Sequence, residues 1–92
     1  MFMLSNDEVI FQIQSVLNNS NFTLLSFDRN KQVFGNMIVV ISDGQKKYQF
    51  ITDRGEISCN NKFLCDNSYH IAGQDDTPIY LIKEIEKIIH SK

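Results

Sequence analysis

Polar residues Ser5 to Glu8 are followed by Val9, Ile10, Ile13, Val16 and Leu17, an i, i+1, i+4, i+7, i+8 spacing. At about 100° per residue this spacing gathers the five side chains into one stripe and predicts an amphipathic helix. Ser5 and Glu8 have the spacing of a capping box, and Asp7 and Glu8 suit the positive end of a helix. Asn18-Asn19-Ser20-Asn21 ends the helix, because asparagine tolerates left-handed backbone and its amide competes for backbone partners. The same stripe returns in Leu81, Ile82, Ile85, Ile88 and Ile89, with Thr77 as N-cap and Pro78 as the first helical residue. Helices this short are unstable alone in water, so both must dock their stripes on another element.

Between them, β-branched and aromatic residues arrive in short runs separated by turn residues, which predicts strands at 22–28, 33–42, 46–52 and 56–60 in an antiparallel meander. Asp43-Gly44 suits a two-residue hairpin turn, and Asp53-Arg54-Gly55 a three-residue loop with Gly55 in the left-handed region. Alternation in the third run puts Tyr48, Phe50 and Thr52 on one face and Lys47, Gln49 and Ile51 on the other. Met37 to Ile41 is apolar on both faces, which predicts a central strand whose second face is covered at least in part. No period is sustained from Asn61 to Asp76, although Phe63, Leu64, Tyr69 and Ile71 call for packing. The simplest arrangement lays this long loop over the sheet, with room in it for a short extra strand. The expected fold class is α+β: N-terminal helix, four-stranded antiparallel meander, long loop and C-terminal helix, with both helices on one face of the sheet.

A chain of 92 residues fits a single domain over 1–92 and buries only about 60 to 65% of its unfolded surface, leaving little room for a deep cleft. A formal charge of −2 has the wrong sign for a surface that neutralises phosphates, so nucleic-acid binding is not expected. The longest apolar run, Met37 to Ile41, falls far short of the roughly 20 residues that cross a bilayer, so no membrane partner is expected. The opening Met1-Phe2-Met3-Leu4 lacks the basic start and apolar core of an export signal, which predicts a cytoplasmic protein with Cys59 and Cys65 reduced. Nine Asn, twelve Ile and seven Lys point to an AT-rich coding genome such as those of many Gram-positive bacteria.

The chemistry-bearing residues give two function classes. Asp66, Asp75 and Asp76, with Glu56 nearby, form an acidic neighbourhood, and no Lys or Arg occurs from Phe63 to Ile82. Acidic clusters speed and orient association with a basic partner, and Tyr80, outside its helix stripe, adds the kind of amphipathic side chain that interfaces favour. The same patch could instead join two copies of the chain. Asp75 and Asp76 also suit the positive end of the last helix. Phe11 likewise falls outside its stripe. The alternative is a small cysteine-dependent enzyme or redox protein, in which His70 would activate Cys65 with Asp66 beside them. Cys59, Cys65, His70 and His90 lack the paired spacing of a structural zinc site, so neither metal nor cofactor is expected. Arg29, Lys31, Lys46, Lys47 and Arg54 collect in the strand region, as solvated hairpin edges do.

Phe34-Gly35-Asn36 before a hydrophobic strand, and Asp53-Arg54-Gly55-Glu56 after a Tyr-x-Phe strand, together with the order helix, strands, helix, give a resemblance over about residues 34–56. In these features the chain resembles small uncharacterised bacterial α+β proteins, some of them similar to immunity proteins of polymorphic-toxin systems. The resemblance implies a protein that binds rather than catalyses. The function expected is a non-enzymatic protein–protein interaction domain, of the immunity type, that neutralises a basic partner or toxin through the acidic loop from Asp66 to Asp76 and nearby Tyr80.

Overall fold

The computed structural model describes residues 2–3, 5–30, 36–53, 55–66, 74–75 and 77–91, with backbone alone at 2, 3, 30, 66, 74 and 75. In chain order the elements are β1 (Phe2–Met3), α1 (Asn6–Leu17), β2 (Thr23–Asn30), β3 (Asn36–Ser42), β4 (Lys47–Asp53), β5 (Glu56–Cys59), β6 (Lys62–Asp66), β7 (Gln74–Asp75) and α2 (Thr77–His90). Strands β2 to β6 form one antiparallel sheet in sequence order, and β1 pairs with β7 in a separate two-stranded parallel sheet.

Local chemistry sets the helix ends. Ser5 caps α1: its hydroxyl accepts from the Glu8 amide at 3.2 Å, while the Glu8 carboxylate accepts from the Ser5 amide at 2.9 Å. The Ser5 amide first, and the Ser5 side chain second, hold the Glu8 carboxyl below its ordinary range. Asn19, at φ 65°, turns the chain out of α1 toward β2. At the other terminus Thr77 lies inside α2 rather than ahead of it, one residue from the expected boundary, and both Thr77 and Pro78 are buried.

Both helices pack on one face of the sheet. Val9, Ile13 and Leu17 of α1 and Leu81, Ile82 and Ile85 of α2 join Met37, Val39, Ile41, Tyr48, Phe50, Ile57 and Cys59 in a single buried cluster. Register explains the membership: Val39 stands opposite Phe50, Ile41 opposite Tyr48 and Phe50 opposite Cys59, so every sheet member points to the helical side. Full burial of a side chain of this size contributes about 1.5–3 kcal/mol, which is how stripes too short to hold a helix alone become stable. Thr52 is the polar member of the sheet's inner face, and its Oγ1 accepts from the buried Met37 amide at 2.7 Å.

The sheet departs from expectation in its strand count and its turns. It has five strands rather than four, because Lys62–Asp66, within the segment expected to be a loop, forms β6 at the sheet's edge instead of lying over it. Asn60 and Asn61, at φ 51° and 68°, make the tight turn that sends the chain back, and Cys59 pairs with Lys62 across it. Two consecutive residues at positive φ are what a type I′ hairpin requires. The β3–β4 turn has Gly44-Gln45 as its central pair, one residue on from Asp43-Gly44. The Asp43 amide donates to the Lys46 carbonyl at 3.3 Å, and Asp43 Oδ1 accepts from the Gln45 and Lys46 amides at 2.9 and 2.8 Å. Gly44, at φ 94°, takes the first central position. Asp53 belongs to β4 and pairs with Glu56, so that connection is two residues long, and Gly55 has the expected left-handed φ of 91°.

Candidate functional site

Because side chains alternate along a strand, the residues between the core positions of β3, β4 and β5 face away from the helices. Register aligns them. Asp28 stands opposite Ile38, Ile38 opposite Ile51, Ile51 opposite Ser58 and Ser58 opposite Phe63, one continuous row across all five strands. Ile38 and Phe63 are 38% and 59% exposed, and Ile51 and Val40 are half-buried. The second face of the central strand, expected to be covered at least in part, is half-buried at Val40 and exposed at Ile38.

One step toward the Asp53–Glu56 turn, the next row is acidic. Asp53 pairs with Glu56, and Glu56 with Asp66, across three adjacent strands. Asp28 lies at the same end, and the Asp28, Asp53 and Glu56 side chains are all exposed. Asp28, Ile38, Ile51 and Asp53 line an open groove of about 340 Å³ there. Arg29, beside Asp28 in β2, serves the helical side, where its Nη1 donates to Asn6 Oδ1 at 3.4 Å. Among the described residues, no three His, Cys, Asp or Glu side chains converge as a metal site would require.

The residues singled out from the sequence are divided by this arrangement. Glu56 and Asp66 come together as ladder partners at the acidic end. Asp75 is placed by its backbone in β7, paired with Met3. Asp76 and His70 lie outside the described residues. Tyr80 belongs to the helical layer, on the other side of the sheet from the open face; it is 38% exposed, with Lys83 Nζ 5.3 Å from its ring centroid. Phe11 is 71% exposed on α1, as its position outside the stripe predicts. Asp28 and Asp53, which reasoning from sequence passed over, complete the acidic end. They stand 25 positions apart in the chain, and only strand register brings them to one groove.

The two thiols sit on the helical side. Cys59 is buried in the core, and burial pushes its thiol up despite the nearby Lys46 ammonium, the opposite of the shift an activated nucleophile needs. Cys65 stands opposite Ile57 and packs, partly buried, against the same core; neither cysteine is in a disulfide. No helix among the described residues is long and apolar enough to cross a membrane. Comparison of the chain with protein-family models, curated proteins and solved structures found no match in any of the three.

Proposed function

We propose that this chain is a non-enzymatic protein–protein interaction domain whose open sheet face receives a basic partner, of the immunity type that neutralises a toxin or a similar basic protein. One observation carries the proposal: an apolar row with exposed Ile38 and Phe63 runs beside the cross-strand acidic row Asp53–Glu56–Asp66. Apolar area supplies affinity, and negative charge steers and orients a basic partner. Strand β6 ends at Asp66, at this same end of the sheet. By ordinary strand spacing and rise the face has a footprint of roughly 20 by 20 Å. That is smaller than the ~800 Å² per partner of a standard interface, so flanking segments must join in for tight neutralisation.

The test is capture of partners from the native cell at low and high salt, with wild type beside Ile38→Asp, Phe63→Asp and Tyr80→Ala. A basic protein held at low salt and lost with both face variants, but retained by Tyr80→Ala, is the expected result. A partner lost with Tyr80→Ala and kept by the face variants would place the surface on the helical layer instead. Light scattering at twice the monomer mass, abolished by Phe63→Asp, would show that the face joins two copies.

A further inference from the structure

We infer that the outer surface of the helical layer joins two copies of this chain, with α1 of each copy seated on α2 of the other. Strands β1 and β7 pair in parallel and each precedes a helix, so α1 and α2, which pack together, start from the same end. Their buried stripes begin equally far from those strands, Val9 from Met3 and Leu81 from Asp75, so Phe11 and Lys83 stand at one level. At about 100° per residue both lie about 160° from the middle of their stripes, facing straight out from the core. Phe11 is 71% exposed, and Ile79 and Tyr80 of α2 are exposed beside it in the same layer.

Charge on this surface is divided by helix. Asp7 and Glu8 are exposed on α1, which carries no lysine or arginine. On α2 both lysines, Lys83 and Lys87, are exposed and both glutamates are half-buried. A second copy laid layer to layer about a two-fold axis along the helices sets Phe11 level with Lys83 of the other copy, twice over. Lys83 Nζ already lies 5.3 Å from the ring centroid of Tyr80 in its own chain, and Phe11 of the other copy closes over it as a second ring. Side chains lean toward the start of their helix, so the long Lys83 stem also reaches toward the Asp7 and Glu8 carboxylates one turn back. The other possible axis, across the helices, sets α1 on α1 and acids on acids, so charge selects the first. Helices of this length, side by side, give a footprint of roughly 20 by 20 Å, which makes the dimer weak and dependent on concentration. It leaves the open sheet face, on the other side of the sheet, free for the partner proposed above.

The test is analytical sedimentation of the wild-type chain from micromolar to millimolar concentration, beside Lys83→Glu, Asp7→Lys and an equal mixture of the two. Both positions are exposed, and circular dichroism checks that each variant keeps the wild-type fold. Wild type should pass from the monomer mass toward twice that mass as concentration rises, and less so at high salt. An exposed ion pair shifts an equilibrium by up to about fivefold, and each substitution meets two symmetry-related contacts, so either variant alone should dimerise up to about 25-fold more weakly. The mixture should recover wild-type association, because the altered α1 then meets the altered α2 and the unaltered pair forms the other contact. A wild-type chain that stays monomeric at millimolar concentration, a dimer indifferent to Lys83→Glu, or a mixture no better than its parts would overturn the inference. So would dimerisation that is lost with Phe63→Asp and kept by Lys83→Glu, which would move the contact to the open sheet face.

Discussion

Replacing Thr52 by valine should destabilise the protein, although valine matches threonine in volume and favours strands at least as well. Thr52 is 2% exposed, and its Oγ1 accepts the Met37 amide at 2.7 Å. Met37 is itself buried, so water cannot take over that bond. A buried donor left without its acceptor costs about 1–3 kcal/mol, and an isosteric substitution opens no cavity that would add to it. For a chain of 92 residues, about 2 kcal/mol corresponds to a fall in Tm of roughly 8–16 °C. Urea unfolding followed by circular dichroism should show a lower midpoint with an unchanged slope, and hydrogen exchange should show faster loss of the Met37 amide. Thr52→Ser keeps the acceptor and loses one methyl group, so it should cost about 1 kcal/mol and leave Met37 protected. A valine variant as stable as wild type, or a serine variant that loses Met37 protection, would refute the assignment of that bond.

Three further outcomes follow from the geometry. Mild oxidation should leave both thiols titratable after unfolding, with no bridge within the chain: Cys65 faces Ile57, two residues from Cys59, and diagonal ladder neighbours stand about 7–8 Å apart, beyond the usual 4.4–6.8 Å of a disulfide. Burial raises the Cys59 thiol pKa, so its contribution is fully present below the pKa of the unfolded thiol and is lost as pH rises through the folded value; stability measured across the alkaline range should fall for wild type and fall less for Cys59→Val. Ser5→Ala should cost about 1 kcal/mol in thermal unfolding by removing the cap of α1. Because the Glu8 pKa is lowered, its contribution is present above the unfolded carboxyl pKa and lost as pH falls through the folded one; Ser5→Ala keeps the backbone amide that is the larger cause, so this acid dependence should shrink only in part there and disappear in Glu8→Gln.

The helices were legible because five apolar residues at helical spacing have one physical solution, and the Ser5–Glu8 pair marks where the first begins. Tyr48, Phe50 and Thr52 were legible as an inward face because a period of two leaves no other choice. The fifth strand was legible only as room for a short extra strand in the loop, although Asn60-Asn61 carried its signal: asparagine is the commonest residue after glycine at positive φ, and two in succession suit a I′ turn. Assigned to a strand end and a loop, they hid the strand that follows. The pairing of β1 with β7 joins two-residue strands more than seventy positions apart, too short for any period to register. The acidic end was half visible. Glu56 and Asp66 stood out as acids near one another in the chain, whereas Asp53 looked like a turn residue and Asp28 like an isolated charge. Which acids share a row depends on register, and register depends on turn lengths that differ here by a residue from the simplest expectation.

Each of the two outermost strands of the large sheet departs from regular pairing at one point. In β2 the register slips between Leu24 and Ser26, leaving Leu25 as an extra residue; in β6 it slips between Phe63 and Cys65, leaving Leu64. The pairs β3–β4 and β4–β5 run without such a break. A bulge bends and twists an outer strand, so a neighbouring copy finds no straight ladder to extend. Both margins are thereby poor templates for filament growth, and crowding many copies of this chain together should not seed fibres along its hydrogen-bonding direction.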